Sequence, residues 1–133
     1  MREGEFRGKR LDNVEWITGD LIRMSGYTFI FPDPAPNGFD RYMVDPATVG
    51  QYTGLKDKTG KDIWGGDVLK WARDGRLYVV KLWMGMFYAS VEECNKGIYG
   101  GFPLYVLTEN GESGSECDIV GNIHDNPELL KTE

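Results

Sequence analysis

Eighteen glycines and six prolines interrupt this chain of 133 residues every few positions, which leaves little room for a helix of three turns. Between the breaks lie short runs rich in β-branched and aromatic residues, so the chain reads as mainly β. The clearest run covers Asp67 to Arg73, turns at Asp74-Gly75, continues from Arg76 to Trp83, and turns again near Gly85 into Met86 to Val91. An Asp-Gly pair between β-rich runs suits a type I′ hairpin, because glycine accepts positive φ and aspartate tolerates it. Three antiparallel strands are expected. Alternation puts Leu77, Val79, Lys81 and Trp83 on one face of the middle strand and Tyr78, Val80 and Leu82 on the other. A strand apolar on both sides is central and covered.

The fold expected from this pattern is a small, SH3-like, partly open β-barrel with additional strands. Those strands are Thr28 to Phe31, Leu104 to Leu107 and Asp118 to Ile123. Two loops stand out, Pro32 to Gly38 and Asn110 to Glu116, rich in the residues that favour turns. At the end, Asn126-Pro127-Glu128 offers an N-cap, a proline at the first helical position and an acid near the positive end of the dipole. That predicts a short C-terminal helical turn docked by Leu129 and Leu130. Residues 1–133 make one domain, divisible into an N-terminal β part, 1–48, and a β-barrel part with the C-terminal turn, 49–133. Trp16 to Arg23 echoes Trp64 to Lys70, each reading as aromatic, turn, Gly-Asp, strand. Two hairpin entries with the same turn chemistry explain that better than a duplication.

The stretch Val49-Gly50-Gln51-Tyr52-Thr53-Gly54-Leu55-Lys56-Asp57-Lys58-Thr59-Gly60-Lys61-Asp62-Ile63-Trp64, followed by Gly66 to Lys70, resembles the YopX family of phage and prophage proteins. Ile119 to Leu130 is similar to that family's end and Phe6-Arg7 to its opening. Gly65 departs from the pattern, standing where the family usually has an acidic side chain. The resemblance implies a small bacterial or phage-borne protein, mainly β and self-associating. It implies no reaction and no catalytic residue. Read physically, the same block has Lys58 to Lys61 as a tight turn, Ile63 and Trp64 as core anchors, and Gly66-Asp67 as the reversal into the next strand.

Fifteen basic against 21 acidic residues give a net charge of −6, which opposes binding to phosphate backbones and anionic lipid. The charge is uneven. Residues 56–83 carry seven cations against four acids, and residues 84–133 carry two against nine, so the two regions can face each other within one molecule or across a subunit contact. No run approaches the length of a membrane span, and MREGEFRGKR lacks the apolar stretch of a secretion signal. The expected location is the cytoplasm, where Cys94 and Cys117 stay reduced.

Chemistry finds little foothold. Gly97 to Gly101 lacks the ending of a phosphate loop, and one histidine with two cysteines is too few for a zinc site. His124 with Asp125 and Cys117 suggests a Cys-His pair, but Asp125 and Asn126 have backbone roles in a capping turn. Asp20 and Asp67 would form a carboxylate pair only if the echoing segments met, and hydrogen bonding to turn amides is the simpler role. No catalytic residue, metal or cofactor is expected. The strongest binding candidates are Lys70, Trp71, Arg73, Arg76, Lys81 and Trp83, which interleave cations with flat rings as single-stranded nucleic-acid sites do. The expectation is therefore a non-enzymatic, phage-associated protein acting through protein contacts, as a homo-oligomer with room for another protein partner. The alternative is a nucleic-acid-associated regulator using residues 70–83.

Overall fold

The computed structural model describes residues 5–32, 41–91, 100–108 and 115–130. The loop candidates fall largely outside them, as does Cys94. The chain divides into two compact units, residues 1–52 and 53–133. The mainly β reading, with extra strands and a C-terminal helical turn, is what the structure shows: the described strands lie in two antiparallel sheets and neither closes into a barrel.

In the first unit, β1 (Phe6–Lys9), β2 (Trp16–Met24), β3 (Tyr27–Pro32), β4 (Tyr42–Met43) and the start of β5 (Gly50–Lys56) take the order β4-β3-β2-β1-β5. Ile30 and Val44 are fully buried, and Gly8 leaves room for them, since a Cβ there would sit 3.1 Å from Val44. The Asp45 carboxylate accepts from the Ala47 N–H at 3.0 Å and starts a 3₁₀ turn, Pro46–Thr48, while the Thr48 hydroxyl accepts from the Lys9 N–H at 2.9 Å. These bonds tie the turn to β1.

In the second unit, β5 continues to Lys56 and runs beside β6 (Asp62–Trp64). A five-stranded sheet follows with the order β10-β9-β8-β7-β11: β7 (Asp67–Trp71), β8 (Leu77–Trp83), β9 (Met86–Ser90), β10 (Gly101–Pro103) and β11 (Cys117–Asn122). Its core face carries Leu69, Trp71, Tyr78, Val80 and Ala89, closed by Leu104, Leu107 and Cys117. Trp64 is 7% exposed, as its place between turn and strand predicts.

Several local expectations change. The Asp74-Gly75 turn is not type I′, because only Gly75 has positive φ; the loop closes through Trp71 and Arg76, and the Asp74 carboxylate accepts from the Arg76 N–H and the Tyr78 hydroxyl. Two-residue loops with positive φ at both positions occur instead at Ser25-Gly26 (54° and 83°) and Met84-Gly85 (50° and 80°). β8 is central but covered only over its first part, since Lys81, Leu82 and Trp83 are exposed. Leu104 to Leu107 is not a strand: Tyr105–Thr108 forms α1, because Leu104 and Leu107 bury one side at helical spacing and leave Tyr105 exposed. The C-terminal turn forms at Pro127–Leu129, yet Asn126 does not cap it; its side-chain oxygen accepts from the Asn122 N–H at 3.1 Å. The two Trp-Gly-Asp echoes also differ. Gly65-Gly66 is a turn, whereas Gly19-Asp20 lies inside β2, where a Cβ on Gly19 would stand 2.0 Å from the Phe31 carbonyl oxygen.

Candidate functional site

The pleat distributes the six candidate residues over two faces and a loop. Lys70 lies opposite Leu77, so it shares a face with Val79, Lys81 and Trp83. Trp71 is on the other face, 5% exposed, with edge contacts to Phe102 at 5.3 Å and Tyr78 at 5.9 Å. Its indole N–H is buried with no hydrogen-bond acceptor among the described residues. Arg73 and Arg76 belong to the loop between β7 and β8. The Arg73 guanidinium lies 5.4 Å from the Trp71 ring and 2.7 Å from the Glu116 carboxylate, and Lys58 lies 3.1 Å from Asp118. Cations of the basic middle and acids of the final third thus meet inside this unit.

Lys81 and Trp83 remain together, and β9 adds what the sequence reading missed. Lys81 stands directly across from Tyr88, and Ser90 lies across from Val79. The rings of Trp83 and Tyr88 are 5.7 Å apart and tilted by 54°. Lys81, Trp83, Tyr88 and Ser90 line a groove of about 280 Å³, and Trp83 is 56% exposed within it. Period-two alternation in Tyr88-Ala89-Ser90, read in register with Lys81, is the signal that would have found these two hydroxyls.

The first unit holds cations stacked on rings that the sequence reading also passed over. Arg7 and Lys9 lie 4.5 and 5.5 Å from the centre of the Trp16 ring, and Arg10 lies 4.1 Å from that of Tyr42. Arg10 also pairs with Asp12 at 2.6 Å, a bond that holds the Asp12 carboxyl below its usual range. These ring faces already carry cations.

The catalytic alternatives meet ordinary structural roles. Cys117 is fully buried, its sulfur 3.4 Å from the Ser115 hydroxyl, and burial pushes the thiol up, away from the reactive thiolate. Asn122 organises the turn beside His124, accepting from the His124 and Asp125 N–H groups and donating to the Asp125 carboxylate. Asp67 is 2% exposed and accepts from the Trp64 N–H at 2.8 Å, while Asp20 is exposed on β2 in the other unit. No group of three metal-capable side chains occurs among the described residues.

The buried Asp57 carboxylate accepts four hydrogen bonds. One oxygen accepts from the Thr59 N–H, the Thr59 hydroxyl and the Lys61 N–H at 2.9, 2.8 and 3.0 Å, and the other from the Ile119 N–H at 3.1 Å. Burial raises its pKa, but the bonds from Ile119, Thr59 and Lys61 outweigh burial and hold it below the usual carboxylate range. The Lys58 N–H meanwhile donates to the Cys117 carbonyl, so the turn occupies the outer edge of β11.

Comparison with known proteins places this geometry. The family model described as YopX protein matches residues 5–131. The chain belongs to the YopX family. This YopX chain is also similar to a solved structure, protein EF1440 from Enterococcus faecalis, at 22% identity and a TM-score of 0.53, over 96% of this chain and 97% of that one. That likeness concerns the fold. No curated protein matches the YopX chain. No helix among its described residues is long and apolar enough to cross a membrane.

Proposed function

We propose that this YopX protein is phage- or prophage-borne, works in the cytoplasm through protein contacts without catalytic chemistry, and associates with itself. The observation that carries the reading is the tip of the β8–β9 hairpin. Met84 is 82% exposed at φ +50°, and Leu82 beside it is 57% exposed. A left-handed backbone costs a non-glycine residue about 1 to 2 kcal/mol, and Asn or Gly is the usual choice for such a turn. A large apolar residue there gives up stability and adds exposed surface. Methionine suits contact surfaces, being polarizable and adaptable. The β2–β3 tip repeats the pattern with Ile22, Met24 and Tyr27 exposed.

Contact through hairpin tips fits better than pairing of strand edges. The Asp57 turn covers the edge of β11, and Pro103 removes a donor from β10. Nor does charge need to hold the contact, since Arg73 and Lys58 are paired within the chain and exposed pairs contribute only about 0 to 1 kcal/mol. A regulator holding nucleic acid along residues 70–83 has less support, because Trp71 is in the core and Arg73 is engaged by Glu116. Light scattering after size exclusion at micromolar concentration should report more than one 15.0 kDa chain, with weak salt dependence. Replacing Leu82→Ser and Met84→Gly together should return a monomer. A wild-type monomer at high concentration refutes self-association, and an oligomer indifferent to the double substitution refutes the tip as its contact.

A further inference from the structure

We propose that Met84 is a reversible oxidation site, and that converting its thioether to the sulfoxide releases the self-contact made by the β8–β9 tip. The inference rests on the self-association reading of that tip. Methionine is among the residues most often fully buried, yet four of the five here lie among the described residues and all four are exposed. Met84 stands out at 82% exposure, against 47, 40 and 36% for Met24, Met86 and Met43. Its side chain is therefore open to small oxidants in the free chain. No described methionine lies in the core, where a sulfoxide would disturb packing.

The chemistry balances with a hydroperoxide and needs no catalytic group from the protein. The Met84 Sδ supplies the electron pair of a new S–O bond to one oxygen of hydrogen peroxide, the O–O bond breaks, and the other oxygen takes the proton of the first and leaves as water. Sulfur loses two electrons and the peroxide gains them. A sulfoxide reductase drawing on a dithiol reverses the step: the dithiol closes to a disulfide and the oxygen departs as water. The position suits a switch. Asn, Asp and Gly are the usual residues of a left-handed turn, so a polar side chain at φ +50° leaves the turn intact, while the tip loses an apolar group beside the exposed Leu82. Fold and contact thus respond separately. Association in turn covers the sulfur, so the free chain is the form that reacts and oxidation draws the equilibrium toward it.

The test treats the full chain with hydrogen peroxide and follows each methionine by peptide mass mapping, association by light scattering and stability by the urea midpoint. Met84 should oxidise first, and its rate should fall about threefold or more as the chain concentration is raised through the association midpoint, while Met43 keeps its rate. The oxidised chain should associate about tenfold more weakly with an unchanged urea midpoint, and methionine sulfoxide reductases with dithiothreitol should restore association. Met84→Gln, which carries a polar amide of similar length, should be monomeric without peroxide, whereas Met84→Leu should stay associated and resist it. Both variants keep Cys94 and Cys117, so a thiol effect would persist in Met84→Leu and overturn the assignment. A wild-type chain fully oxidised at Met84 that still associates overturns the switch and leaves self-association standing. A chain that is monomeric before peroxide is added removes both. Oxidation of Met43 ahead of Met84 overturns the site.

Discussion

Asp57→Ala removes the acceptor for four donors at once, and the structure sets the expected loss. Thr59 and Lys61 lie on an exposed turn, so their freed N–H groups regain water, and each lost bond costs about 0.5 to 1.5 kcal/mol. The Ile119 N–H is different. It belongs to a half-buried residue of β11 and bonds to an ionised group, an interaction worth about 1.5 to 3 kcal/mol. The sum is about 2.5 to 6 kcal/mol, a large share of a small domain's stability. Asp57→Asn should recover part of it, because the amide oxygen can serve the turn, while the NH2 group then faces the Ile119 donor. pH provides an independent check. Because the folded-state pKa lies below the unfolded value of about 3.9, this contribution is fully present above that value and is lost as pH falls through the lower folded pKa. Urea unfolding at neutral pH and across pH 2 to 5 measures both effects. A loss under about 1 kcal/mol in the alanine variant, or an unchanged acid limb, would refute the claim that this carboxylate joins the turn to β11.

Trp64→Ala should lower stability by about 3 to 5 kcal/mol, as the indole is 7% exposed, and an unchanged urea midpoint would place it outside the core. Met84→Gly should raise stability by about 1 kcal/mol by relieving the left-handed backbone, so the same change that weakens association strengthens the fold; a lower thermal midpoint would contradict this. Cys117 should react slowly with a disulfide reagent at pH 8 in the native protein and fully in denaturant, because burial raises its pKa; prompt native reaction of both thiols would contradict it.

The strand meander was legible because β7, β8 and β9 combine β-rich runs with turn residues. What the runs do not encode is which turn residues take positive φ. At Asp74-Gly75 the aspartate side chain finds the Arg76 amide and the Tyr78 hydroxyl and organises a longer loop, while Met84-Gly85, with no such acceptor, takes the tight form. Leu104 to Leu107 fits both periods over four residues, and only the buried pair Leu104 and Leu107 decides for the helix. The candidate array divided for a related reason. Trp71 and Trp83 look alike in composition, but the pleat sends one into the core and leaves the other in a groove whose second wall, β9, is set by register.

The pairing of β7 with β11 bears on the order in which the second unit assembles. Hairpins such as β8–β9 close within about 1 to 10 µs, whereas Trp71 meets Cys117 only after a long intervening chain has been gathered, and that closure carries more entropy. We expect the β7–β8–β9 meander to form early and β11 to dock last, an order that pulsed hydrogen exchange would read and that simultaneous protection of β8 and β11 would refute. During synthesis, a nascent chain that ends before residue 115 would therefore present a meander without its outer strand, and the unpaired edge of β7 would be open to chaperones for as long as translation of the last segment takes.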